Sequence, residues 1–192
     1  MKAILLLVFF IGFSLSSQCQ EKNKWAPDFV VVQGAGSIGL VSAGFGYNLI
    51  KSKARFSAHY GIVPQSHSGI LNVVSTKLYF RPARFTIWNR VRMNPFDIGI
   101  MGSYHFGGRL EEEKPEGIRP RGYYWSHPAF RTHLGMESSV TYEFRKGKSL
   151  HSATGYIEFN TNEQYFISFV KNIKTISLWD IVTVGTGVRV YF

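Results

Sequence analysis

Cysteine is nearly missing from this sequence: Cys19 stands alone. A single thiol excludes an intrachain disulfide framework and the paired-cysteine spacings of structural zinc sites. Long apolar runs are missing too. Beyond the first residues there is no run of the ~18 apolar residues that marks a membrane-crossing helix. Spanning strands stay open, because alternation dilutes their hydrophobicity. Acidic residues are also few. Against 22 Lys and Arg stand 12 Asp and Glu, a formal net charge of +10, so the natural counter-charges are acidic surfaces.

The chain does have a marked beginning, MKAILLLVFFIGFSLSSQCQ. Lys2 precedes an apolar run from Ala3 to Phe13, and Ser14, Ser16 and Ser17 follow it. The run is too short to span a bilayer and its flanks are those of a secretory signal peptide. Residues 1–19 are expected to be removed, leaving 20–192 as a single domain. Gln18 stands where bacterial lipoprotein signals carry a small residue, which counts against lipid attachment at Cys19. Export makes lipid headgroups and lipopolysaccharide phosphates the reachable acidic partners. Nucleic acid is not expected.

Alternation of two unlike faces fills the remainder. In the closing VTVGTGVRVYF, Val182, Val184, Thr186, Val188, Val190 and Phe192 form one row, and Thr183, Gly185, Gly187, Arg189 and Tyr191 the other. In ARFSAHYGIV, the row Ala54, Phe56, Ala58, Tyr60 and Ile62 opposes Arg55, Ser57, His59 and Gly61. DIGIMGSYHF sets Ile98, Ile100, Tyr104 and Phe106 against Asp97, Gly99, Ser103 and His105. FRTHLGMESSVTYEF sets Phe130, Leu134, Met136, Val140, Tyr142 and Phe144 against Arg131, His133, Glu137, Ser139 and Glu143. These segments reach the roughly 9–11 residues of a spanning strand, longer than the usual 5–6 of soluble sheets. Aromatic residues gather near their ends, and glycine is abundant in the polar rows, where a narrow barrel needs small side chains.

An exported chain whose last strand alternates and stops on phenylalanine, as Val184, Thr186, Val188, Val190 and Phe192 do, resembles a bacterial outer-membrane β-barrel of the small OmpA/OmpX-like class. The resemblance implies an all-β fold, an antiparallel transmembrane up-and-down β-barrel whose last strand pairs with its first. It also implies that Val188, Val190 and Phe192 form the C-terminal signal read by the barrel assembly machinery. A monomer in contact with outer-membrane lipids and lipopolysaccharide is expected.

A barrel with both termini in the periplasm needs an even strand number. Strands are read near 28–35, 39–50, 54–63, 70–80, 97–107, 129–144, 163–171 and 178–192, making eight. Arg84–Pro95 and Leu150–Thr161 also alternate, so ten strands are possible; under the eight-strand count both are periplasmic connections. The longest loop, Gly108–Pro128, then lies outside the cell. Its Arg119, Arg121, Tyr123, Tyr124 and Trp125 are a surface mixture suited to a headgroup, a sugar or simple interfacial packing.

The polar row places Arg55, His59, Lys77, Asp97, His105, Arg131, His133, Glu137, Glu143 and Arg189 toward the axis. Charges there need partners, since isolated burial is expensive. Eight strands leave an interior just wide enough for side chains, which favours a filled lumen over a pore for small solutes. The histidines show no ligand spacing, so neither metal nor cofactor is expected. GAGSIG at Gly34–Gly39 lacks the helix that a dinucleotide site needs and is taken as a hairpin. Lipid A deacylase barrels are a distant resemblance with a His-x-Ser pattern. Here His151 and Ser152 are adjacent, on opposite faces of any strand, while His59, His105 and His133 point away from lipid, out of reach of an acyl substrate. A structural or surface-interaction role in the envelope is the expectation, with a lipid A-modifying acyl hydrolase or a narrow pore as alternatives.

Overall fold

The computed structural model describes residues 26–65, 69–107, 129–145 and 149–192. The leader, Cys19 and the loop residues Arg119, Arg121, Tyr123, Tyr124 and Trp125 lie outside them. Among the described residues nine strands are formed: β1 (Phe29–Ala35), β2 (Val41–Leu49), β3 (Ala54–Gln65), β4 (Gly69–Phe80), β5 (Phe85–Trp88), β6 (Val91–Phe106), β7 (Phe130–Glu143), β8 (Ser152–Asn162) and β9 (Thr183–Tyr191). Two helices, α1 (Glu163–Lys171) and α2 (Leu178–Ile181), join β8 to β9.

Every pairing is antiparallel, and eight strands close a barrel, β1 to β4 and then β6 to β9. The seam joins the first strand to the last. Phe29 lies opposite Tyr191 and Val32 opposite Val188, and the Phe192 N–H donates to the Asp28 carbonyl at 3.2 Å. β5 stands outside the ring as a short hairpin against the start of β6, with Phe85 opposite Met93. The barrel therefore has eight strands, and the ten-strand option is not adopted.

The strand reading needs correction in one stretch. Residues 163–171, expected as the seventh strand, are helix α1, and the wall strand is β8 at 152–162, expected as a connection. Local chemistry explains the exchange. Asn162 caps the helix by accepting from the Tyr165 N–H at 2.8 Å, and Glu163 puts its negative charge in the first turn. Further on, Ser177 and Asp180 form a reciprocal capping box that starts α2, so the last strand begins at Thr183 instead of 178. β6 likewise starts at Val91, earlier than expected, because a bulge between Asn94 and Asp97 carries the strand past Pro95. The Ser138 hydroxyl donates to the Pro95 carbonyl there.

Inside and outside are exchanged relative to a water-soluble sheet protein. Val32, Val74, Ile98, Ile100, Leu134 and Val188 are exposed on the outer wall, whereas Gln33, Arg55, Lys77, Asp97, Glu137 and Arg189 are buried within. Bulky inward rings are admitted by glycine on other strands of the wall. A Cβ on Gly135 would lie 2.2 Å from Tyr79 Oη, and one on Gly187 would lie 2.5 Å from the Tyr156 ring. One end of the barrel holds the start of β1, the end of β9 and the β2–β3 reversal; we call it the terminal end. The opposite, loop end carries α1, α2 and the departure of the long β6–β7 connection.

Candidate functional site

Acidic and basic side chains enter the lumen from different strands. Register places Asp97 on β6 opposite Glu137 on β7, and Glu137 opposite Glu158 on β8, so three carboxylates stand in a row across one side of the wall. Like charges on facing strands repel. Compensation comes from the strands on either side, where Lys77 (β4), Arg55 (β3, one strand further round) and Arg189 (β9) project inward.

Near the terminal end Arg55 bridges two carboxylates, Asp97 at 3.1 Å and Glu137 at 2.8 Å. Arg189 pairs with Glu137 from the other side, and Arg81, just beyond β4, reaches Asp97 at 3.2 Å. Aromatic faces back the guanidiniums: Arg189 lies 3.9 Å from the Tyr156 ring centroid and Arg55 lies 5.3 Å from that of Tyr79. A second cluster surrounds Lys77, whose Nζ donates to Glu158 at 2.6 Å and to Gln33 Oε1 at 2.8 Å. Tyr156 Oη donates to the same Gln33 oxygen at 2.8 Å, and Asn160 donates to Glu158 at 3.2 Å. The space among these side chains leaves almost no free volume. Such pairs cross-brace the wall, and each charge depends on its partner to offset desolvation.

Neutral polar pairs stand beside this ion network, one within the same enclosed space and one nearer the loop end. His59 Nε2 shares a hydrogen bond of 3.0 Å with Ser57 Oγ, and His133 Nε2 shares one of 3.0 Å with Ser103 Oγ. Each is a serine beside a histidine, the first requirement for an activated nucleophile. The second requirement is a group that orients the base, and neither Nδ1 has a hydrogen-bond partner among the described residues. Both pairs are also enclosed by the wall. Among the described residues no three His, Cys, Asp or Glu side chains converge as a metal site would require.

Residues expected on the axis thus divide. Arg55, Lys77, Asp97, Glu137 and Arg189 meet in the ion network, while His59 and His133 belong to the neutral pairs beside it. His105 and Arg131 sit at the loop-end rim, outside the network; His105 Nδ1 lies 3.3 Å from the Ala129 carbonyl, and Arg131 pairs with Glu163 at 3.6 Å. Glu143 is half-exposed at the terminal mouth against Arg92 at 2.8 Å. Sequence reasoning missed Gln33, Arg81, Tyr156 and Glu158. The signal for two of them was the alternation Tyr156, Glu158, Asn160 in GYIEFN. Val188 lies on the outer wall beside the β1–β9 seam, with Val190 and Phe192 half-buried there.

No protein-family model, no curated protein and no solved structure matches this chain.

Proposed function

We propose that this chain is an outer-membrane β-barrel protein with a structural or surface-interaction role, inserted with its terminal end toward the periplasm. The observation that supports this most is the exchanged wall: Ile98, Ile100, Leu134 and Val188 are each more than half exposed, while Glu158 and Arg189 are 0% and 2% exposed. In water the apolar outer face would stay exposed at a cost; against acyl chains it would not. The loop end extends the apolar surface. Helix α1 buries none of its residues and exposes Tyr165, Phe166 and Val170, and beyond it Ile173 and Trp179 are exposed. Glu163 fixes its start by accepting from the Thr132 N–H at 2.9 Å, beside the point where β8 has ended.

On this proposal residues 1–19 direct export, Val188, Val190 and Phe192 address the chain to the assembly machinery, and the protein is a monomer among lipids and lipopolysaccharide. The filled lumen supports a sealed scaffold over a pore, and the inward setting of both Ser–His pairs speaks against a hydrolase that meets lipid. Detergent-extracted protein is expected to run faster on a gel before boiling than after it. A mature chain that stays monodisperse in plain buffer overturns the membrane assignment. Planar bilayers containing the protein are expected to stay silent, and a deletion strain is expected to keep its lipid A acyl chains unchanged.

A further inference from the structure

The terminal mouth of the barrel holds a cavity of about 150 Å³. That is the volume of about five waters in the liquid. Its lining comes from the whole circumference: the β2–β3 reversal (Asn48, Ser52), the segment after β4 (Arg81, Arg84), and the ends of β6, β7, β8 and β9. Three guanidiniums reach it, those of Arg81, Arg84 and Arg92. Two are already engaged. Arg81 gives Nε and Nη2 to Asp97 at 3.3 and 3.2 Å and Nη1 to the Ser52 carbonyl at 3.4 Å. Arg92 pairs with Glu143 at 2.8 Å.

Arg84 is different. Among the described residues it has no carboxylate within ion-pair distance. Three guanidiniums therefore face two carboxylates, and one positive charge stays uncompensated over a hollow. Partial burial and then the adjoining Arg81 and Arg92 lower the pKa of Arg84, against a smaller opposing pull from Tyr191 and Asp97. The guanidinium remains charged at any physiological pH. Neutral polar groups surround it, Asn48, Ser52, Ser152 and Tyr191, on separate sides of the opening. Donors spread around a ring suit an anion whose oxygens point in several directions, and a planar carboxylate would meet only one side of it. An Arg fork matches two oxygens of a phosphate at once.

We propose that the terminal mouth is a binding site for a small tetrahedral oxyanion, a phosphate monoester group, with Arg84 as the residue that engages it. Asp97 and the ion layer form the floor and stop the ligand from going deeper. The phosphate can belong to a soluble molecule or to an anionic lipid headgroup folded into the mouth, and the chemistry of capture is the same.

The test is calorimetric titration of inorganic phosphate into the full mature chain in zwitterionic detergent at low ionic strength, with acetate as the planar control. Saturable one-to-one binding is expected, weakened about tenfold by Arg84→Gln, the loss typical of a charge-assisted hydrogen bond. It should also weaken as salt rises. Arg84 is exposed, so this variant keeps the gel shift of the folded barrel, and failure of binding is separable from failure to fold. Absence of saturable binding, equal affinity in Arg84→Gln, or acetate binding as tightly as phosphate each overturns the proposal. Nanodiscs with and without phosphatidic acid, whose headgroup is itself a phosphate monoester, separate the two sources. Loss of the phosphate signal when that lipid is present assigns the site to headgroups, and an undiminished signal assigns it to soluble phosphates.

Discussion

The ion network of the lumen and the neutral Ser–His pairs beside it are both polar and differently held. In the network, Asp97 and Glu137 each meet two guanidiniums, so no member of the cluster can move without stranding another. In the neutral pairs, Ser57, His59, Ser103 and His133 share single hydrogen bonds, and His59 Nδ1, His133 Nδ1 and Ser75 Oγ have no hydrogen-bond partner among the described residues. A low local dielectric strengthens a satisfied charge network and makes a broken one costly, while a neutral pair has less to gain or lose. Polarity alone does not measure rigidity; connectivity does.

Three substitutions probe that contrast. The largest effect is expected for Glu137→Ala, which leaves Arg55 and Arg189 facing each other without their shared carboxylate. Breaking a buried pair in this way costs about 3–5 kcal/mol, read as a lowered midpoint in urea when the gel shift reports folding. Gly135→Ala comes next, because its new methyl group meets Tyr79 Oη; overpacking of this kind costs about 1–3 kcal/mol. Tyr79→Phe in the same chain should recover part of that loss, and a cycle without recovery would place the clash elsewhere. The smallest is Ser103→Ala, at about 1 kcal/mol for one hydrogen bond. If Ser103→Ala costs as much as Glu137→Ala, network and neutral pair are held alike and the contrast fails.

The wall itself was legible in the sequence because a strand writes its two faces into consecutive residues. Ile98 and Ile100 alternate with Asp97 and Gly99 whatever the strand pairs with, and those rows are the outer and inner surfaces of the barrel. Two things were not legible. The first was the boundary at Asn162: EQYFISFVK is apolar enough to pass for a strand, and only the cap and the acidic first turn betray a helix. The second was which charges meet. Arg55 and Glu137 are 82 residues apart and Lys77 and Glu158 are 81 apart. Their contact follows from strand tilt and register around a closed ring, quantities that no local pattern encodes. Without β8 in the wall, Glu158 had no place on the axis, and Lys77 was left without its partner.

The β1–β9 seam has a consequence for biogenesis. Because Phe29 and Tyr191 are opposite neighbours, the ring cannot close before β9 has been made; that strand supplies the closing stave. Until then both margins are open templates for promiscuous pairing, and contacts between such distant positions form slowly. A chain stopped before Val188 would lose this latch first, and would stay an unfinished cask.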